Sequence, residues 1–172
     1  MSLIRVLTAD DHPIVRDGLR AVLGTQPDFT VVGEAGSGRA VIDQVRRLQP
    51  DVLLLDLEMP DGDGVETLQR LAERHTAVRA IVFTAFDTDD RIVEAVRAGA
   101  KGYLLKGAPR DELFNAIRVV HAGGSLLQPI VATKLINRLN QPTPADLLTE
   151  REREVLTLVA QGRSNREIAD EL

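Results

Sequence analysis

Up to about residue 122 the chain repeats one pattern five times, a short apolar run followed by a longer stretch of helical period. The runs are Leu3–Ala9, Thr30–Ala35, Val52–Asp56, Ala80–Thr84 and Gly102–Leu105. Each is brief and nearly all apolar, as strands covered on both faces must be. The intervening stretches, Pro13–Gly24, Gly38–Leu48, Gly64–Arg74, Asp89–Ala98 and Pro109–His121, are amphipathic and flanked by Gly, Pro or Asp. Five such units predict an α/β fold in which right-handed crossovers lay helices on both faces of an open, five-stranded parallel sheet.

Two of the runs end in acid. Asp10 and Asp11 close VLTADDHP, and Asp56 closes DVLLLD. In the flavodoxin-like strand order 2-1-3-4-5 the first strand lies beside the third, so all three carboxylates meet at one edge, where a doubly wound sheet binds its ligand. At an effective dielectric near 20, two unit charges about 4 Å apart repel by about 4 kcal/mol, so the cluster needs a cation or a proton. A metal site is the first expectation. Thr84 and Lys106 stand at the ends of AIVFT and GYLLK. From the outer strands they would face the acids with a hydroxyl and an ammonium, a receptor for an anion, and a divalent cation held by oxygen ligands could bridge the phosphoryl oxygens of such an anion.

Composition bounds the remainder. With 172 residues, 44% of them hydrophobic, the chain suits one full domain and a smaller appendage. No apolar run reaches the length of a membrane span, and the start lacks the features of a signal peptide. No membrane association and a cytoplasmic location are expected. The absence of cysteine removes disulfides and thiolate chemistry, and the net charge of −5 gives no overall nucleic-acid footprint.

With these residues in place, positions 1–122 resemble the receiver domain of a two-component response regulator. The resemblance implies that Asp56 is the phosphoryl-accepting nucleophile. It also implies that Asp10 and Asp11 hold Mg²⁺ (or Mn²⁺) together with Asp56 and the backbone carbonyl of Glu58, that Thr84 and Lys106 bind phosphoryl oxygens, and that Tyr103 is the switch aromatic responding to Thr84. A carboxylate attacking phosphorus forms a mixed anhydride, a reaction helped mostly by charge neutralisation and alignment. The implied partner is a sensor histidine kinase, and phosphorylation is expected to favour a homodimer.

Each position also has an ordinary structural role to weigh. Asp10 can cap a helix, Thr84 is a common strand former and Lys106 a common solvated strand end; their joint placement favours the site. Asp61-Gly62-Asp63-Gly64 lacks the acid that would complete a calcium loop, Ala72 standing there instead, and is read as a turn before the third helix. His12, His75 and His121 show no ligand spacing, so no histidine chemistry is expected. Phe86 is left between loop packing and an influence on access.

Beyond residue 122 the pattern changes. Residues 123–145 read as a linker with one helix, Pro129–Leu139, broken by Gln141-Pro142-Thr143-Pro144. In residues 146–172 two capping boxes, Thr149 with Glu152 and Ser164 with Glu167, and Gly162 between them predict two helices and a tight turn. Val155, Leu156 and Val159 form one apolar stripe, Ile168 and Leu172 another. TEREREVL and GRSNREIA resemble the opening of a LuxR-type helix-turn-helix of the NarL/FixJ response regulators, which continues into a basic recognition helix. Residues 145–172 hold four arginines and no lysine against seven acids. The expectation is a truncated partial helix-turn-helix, with DNA binding belonging to a longer parent and not to this chain. Two rivals share the site chemistry. A haloacid-dehalogenase-like aspartyl-phosphate phosphohydrolase needs an acid two residues after its nucleophile, which Glu58 supplies, but places that nucleophile on the first strand. A flavodoxin-like FMN carrier would meet acids in TADDHP where its phosphate needs hydroxyls and free amides.

Overall fold

The computed structural model describes residues 3–60, 63–85 and 88–140 and, of the remainder, Val155, Thr157, Leu158 and Ala160. The chain divides into two compact units, residues 1–138 and 139–172. In the first, β1 (Ile4–Ala9), α1 (Pro13–Leu23), β2 (Phe29–Ala35), α2 (Gly38–Leu48), β3 (Val52–Leu55), α3 (Gly64–Glu73), β4 (Arg79–Thr84), α4 (Asp89–Arg97), β5 (Gly102–Leu105) and α5 (Arg110–His121) alternate strictly. Every one of these lies within one residue of the span expected from the pattern. In the second unit the four described residues are helical. The capping boxes, Gly162 and the second apolar stripe lie outside the described residues.

The sheet is wholly parallel in the order β2-β1-β3-β4-β5, with β6 (Leu126–Leu127) beyond β5. Alternation along each strand feeds two cores. Leu53 and Leu55 of β3 join Val41 and Val45 of α2, Leu68 and Leu71 of α3 and Ile92 of α4 on one face. Val52 and Leu54 join Leu19 and Leu23 of α1 and Leu113, Phe114 and Ile117 of α5 on the other. Side chains at successive positions point to opposite faces, so a strand buried on both sides is mostly apolar between its ends, with the fully buried Thr8 the exception inside β1.

Five strands are expected from the sequence, and here the structure corrects that reading. A sixth, β6 (Leu126–Leu127), extends the sheet beyond β5, pairing Gly102 with Leu126 and Tyr103 with Leu127. Two residues cannot display a period, so the strand is invisible to pattern analysis. Its registration depends on Gln128, whose side-chain oxygen accepts the Leu105 N–H at 2.9 Å while its amide donates to Glu112 at 2.8 Å. After it comes α6 (Pro129–Leu139), over the span expected for the linker helix. Val131 of α6 is fully buried in the same cluster as Tyr103 and Ile92.

Helix α3 begins hard against the end of β3. Asp63 caps it by accepting the Val65 N–H at 3.0 Å, and the Gly64 N–H is donated to Leu57 O at 2.9 Å. A Cβ on Gly64 would stand 2.6 Å from both the Asp56 carbonyl oxygen and Leu57 Cα. Those are backbone atoms, which no rotamer change can relieve. Alanine gains up to about 1 kcal/mol over glycine in helix propensity, whereas forced overpacking costs about 1–3 kcal/mol. Gly64→Ala is therefore expected to lower the stability read from urea unfolding by about 1 kcal/mol, the middle of the range left when that propensity gain is set against the overpacking cost. An unchanged or raised midpoint would contradict the close approach.

Candidate functional site

The site is built by the ladder itself. Residues Ala9 and Leu55 are paired neighbours on β1 and β3, so the next residues, Asp10 and Asp56, emerge side by side. The Asp56 N–H is donated to Ala9 O at 2.9 Å and the Asp10 N–H to Ala35 O at 3.0 Å, which fixes both backbones as the strands end. On the other side Thr84 pairs with Leu105, and the Lys106 N–H is donated to Thr84 O at 2.9 Å. Strand order reverses at β1, between β2 and β3, so the acids sit at the switch point where such sheets open a crevice.

The Lys106 ammonium lies 2.6 Å from Asp10 Oδ2 and 2.6 Å from Asp56 Oδ2. It donates a hydrogen bond to Asp56, and the approach to Asp10 is an ion pair without hydrogen-bond direction. Both carboxylates are buried, with exposures of 1% for Asp10 and 3% for Asp56. Burial pushes the lysine's pKa down, but the contacts with Asp10 and Asp56 and their negative charges outweigh it, so the group is held above its ordinary 10.5 and stays charged.

The remaining expected residues fall around this triad. Asp11 is half-buried, with His12 Nδ1 2.6 Å from its Oδ1. The backbone N–H of His12 donates to Asp10 Oδ1 at 2.9 Å, and its ring lies 3.3 Å from that oxygen. Asp56 Oδ1 accepts only a long contact, 3.4 Å, from the Glu58 N–H. Asp11, Asp56, Glu58 and Lys106 line one open cleft of about 670 Å³. Thr84 and Tyr103 do not line it among the described residues; both are fully buried, Thr84 at the end of β4 and Tyr103 inside the core beneath α4 and α6. Phe86, Asp61 and Gly62 lie outside the described residues.

Three participants escape sequence reasoning. His12 is the N-cap residue of α1, as its position suggests, yet its ring also faces the acids; its adjacency in ADDH was the available signal. Arg91 of α4 pairs with Asp63 at 2.6 Å, and together they form the far wall of the cleft. Nothing in the sequence links positions 28 residues apart. Behind the site, Arg16 donates to the Asp10 carbonyl at 2.7 Å and pairs, with Arg20, to Glu34 on β2. That network pins the loop carrying both acids.

Chemically the edge offers hard oxygen ligands beside a fixed cation. Asp10, Asp11 and His12 bring ligand atoms within 4.8 Å of one another. Asp10 Oδ2 and Asp11 Oδ1 meet only the ion-pair contacts of Lys106 and His12, neither aligned as a hydrogen bond, which leaves them lone pairs that a divalent cation could take. The donor set therefore fits a hard cation such as Mg²⁺. Lysine neutralises one charge of the cluster, leaving capacity for a second cation.

Comparison with known proteins agrees with this geometry. The family described as "Response regulator receiver domain" matches residues 6–118, and "Bacterial regulatory proteins, luxR family" matches residues 146–172. The chain is 41% identical to the transcriptional regulatory protein LiaR of Bacillus subtilis, over 99% of this chain and 82% of that protein. It is 40% identical to the nitrate/nitrite response regulator NarL of Escherichia coli K12, over 97% of this chain and 80% of that protein. Among solved structures, the response regulator ChrA of a heme-sensing two-component system superposes with a TM-score of 0.68 at 39% identity, covering 99% of this chain and 82% of that one. A LuxR-family response regulator from Aurantimonas sp. SI85-9A1 gives 0.76 at 31% identity, covering 81% of this chain and all of that one. A parallel sheet with three acids and a lysine at its switch point, matched over these lengths, makes this chain a member of the two-component response regulators, with a receiver domain followed by a LuxR-type segment.

Proposed function

We propose that Asp56 is the phosphoryl acceptor of this response regulator. The observation that carries the reading is the Lys106 ammonium held 2.6 Å from both Asp56 and Asp10, a fixed positive charge beside a buried acid that lines the cleft together with Asp11 and Glu58. Asp10 and Asp11, with Asp56 itself and the backbone carbonyl of Glu58, would hold Mg²⁺ (Mn²⁺ as a substitute). Bound there, the cation would neutralise phosphoryl and carboxylate charge and align the two.

The phosphoryl group comes from a phosphohistidine of a sensor histidine kinase. A carboxylate oxygen of Asp56 forms the new bond to phosphorus as the bond from phosphorus to the donor imidazole nitrogen breaks, and the released nitrogen takes a proton. Lys106 stays protonated and moves its hydrogen bond from the carboxylate to a phosphoryl oxygen. The Thr84 hydroxyl takes a second oxygen, and the change is passed to Tyr103. Phosphorylation then favours a homodimer, and the output is transcriptional control through the LuxR-type segment. The protein RcsB, 28% identical over 99% of this chain with a TM-score of 0.75, has been seen as dimers on DNA, which supports DNA as the target of the LuxR-type output. Kinase phosphodonor and DNA are both cytoplasmic, and among the described residues no helix is long and apolar enough to cross a membrane. The phosphohydrolase alternative is disfavoured, since its nucleophile belongs on the first strand and Asp56 follows the third.

Incubation with acetyl phosphate and Mg²⁺ is expected to add one phosphoryl group by intact mass, and Asp56→Asn to abolish the addition. Normal labelling of that variant refutes the assignment, and labelling undiminished by EDTA refutes the metal.

Lys106→Met is expected to slow labelling by about a hundredfold, the usual cost of one aligned electrostatic donor. It should also cost on the order of 2 kcal/mol of stability at pH 7.5 by leaving buried carboxylates uncompensated, discounted for the partial exposure of the ammonium. The folded-state pKa of Lys106 lies above 10.5, so its contribution is complete below the unfolded value and is lost only as pH rises through the folded one. The stability gap between wild type and variant should hold from about pH 7 to 10; a gap that closes by about pH 9 contradicts the ion pairs.

A further inference from the structure

At the opposite end of the sheet, away from the acids, the C-terminal ends of α2 and α3 and the starts of β3 and β4 enclose a second cleft of about 700 Å³. Its floor is apolar, formed by Ile42, Val45, Leu71 and Val78. Its rim is cationic, with Arg46, Arg74 and Arg79 converging on it. None of these three guanidinium groups has a hydrogen bond or ion pair among the described residues. The cleft's one acid, Asp51, already accepts the Arg5 N–H at 2.8 Å.

Basic residues at the C-terminal end of a helix ordinarily complement its dipole, and Arg46 in the last turn of α2 and Arg74 at the C-cap of α3 are placed to do so. That role accounts for only part of the charge. Each helix end carries roughly half a negative charge, so two ends leave a positive excess when set against three arginines, and Arg79 lies on β4 rather than on a helix. Backbone conformation adds an independent observation. Gln49 (φ 45°) and His75 (φ 50°) are the only non-glycine residues with positive φ among those described, and both line this cleft. Glycine is the easier residue in that conformation. An amide and an imidazole stand there instead, both on residues that line the cleft.

We propose that this cleft is a binding site for a small organic anion, an apolar or aromatic body carrying a carboxylate, sulfonate or phosphate. Its volume lies within the range of small-molecule sites, roughly 300–1,000 Å³. The apolar floor would take the body, and Arg46 and Arg74 the anionic group, in the forked geometry that guanidinium offers to such oxygens. The site is separate from the acidic cleft, with which it shares no lining residue.

The test uses the full chain, ¹⁵N-labelled, titrated with 8-anilinonaphthalene-1-sulfonate and, in parallel, with uncharged N-phenyl-1-naphthylamine. Amide shifts are expected to cluster at Gln49, Thr76, Ala77 and Val78. Arg46→Gln with Arg74→Gln, both at exposed positions, should weaken the sulfonate at least tenfold while changing the uncharged probe less than twofold, and Asp56→Asn should change neither. Shifts confined to α6 or to the acidic cleft, no binding of the sulfonate, or equal affinity in the double variant would each overturn the proposal.

Discussion

An ammonium group between two buried carboxylates is the interaction on which the arrangement of this receiver depends. Asp10 and Asp56 each leave water almost completely, and their mutual repulsion in a medium of reduced dielectric would amount to several kcal/mol if nothing lay between them. Lys106, arriving from the end of β5, lies 2.6 Å from an oxygen of each. One side chain thereby ties together the carboxyl ends of β1, β3 and β5, and the excess of negative charge that remains, Asp11 included, is what prepares the edge for a second cation. Stability and reactivity come from the same pairings. On the proposed assignment, the group that neutralises the acids in the resting protein would also donate its hydrogen bond to an arriving phosphoryl oxygen.

The sheet makes this convergence unavoidable. A strand covered on both faces is largely apolar between its ends, so β1 and β4 keep their arginines, Arg5 and Arg79, near their starts, and β1 and β3 place their acids where they emerge. Parallel strands emerge on the same side. The register Ala9 with Leu55 and Thr84 with Leu105 then aligns the first polar residue of each within reach of the others. Gly64 lets α3 begin directly against the carbonyl of Asp56, and Arg16 holds the Asp10 carbonyl from α1, so the loops at this edge are clamped from both layers.

How far the sequence discloses the molecule follows from the range of each interaction. The ten alternating elements were legible to within one residue, because period and capping residues act over a single turn or strand. The meeting of Asp10, Asp56 and Lys106 was legible too, since it needs only strand ends and an order of strands. Strand β6 was not, because its two leucines are held by backbone pairing to β5 and by Gln128 reaching both Leu105 and Glu112. The Asp63–Arg91 pair joins a helix cap to a helix two elements later, and no local pattern announces such a contact. The arginine-rimmed cleft was hidden for the same reason. Its charges are scattered through α2, α3 and β4 as ordinary exposed residues, and only the fold assembles them.

The segment after α5 alters how a signal could leave the receiver. Read as a linker, it would merely connect two units, yet β6 completes the sheet beside Tyr103 and α6 buries Val131 in the cluster that holds Tyr103, Ile92 and Ala95. Arg138 of α6 pairs with Asp90 of α4 at 2.6 Å. A fully buried tyrosine cannot change its rotamer in a close-packed interior without moving its neighbours. Any repacking of Tyr103 in answer to the proposed phosphorylation must therefore be shared by α4 and by α6, and α6 leads directly into the LuxR-type segment. On the proposed assignment of Tyr103 as switch aromatic, covalent order would then supply the route without a separate relay, since the helix packed in its cluster is the one that precedes the LuxR-type segment in the chain.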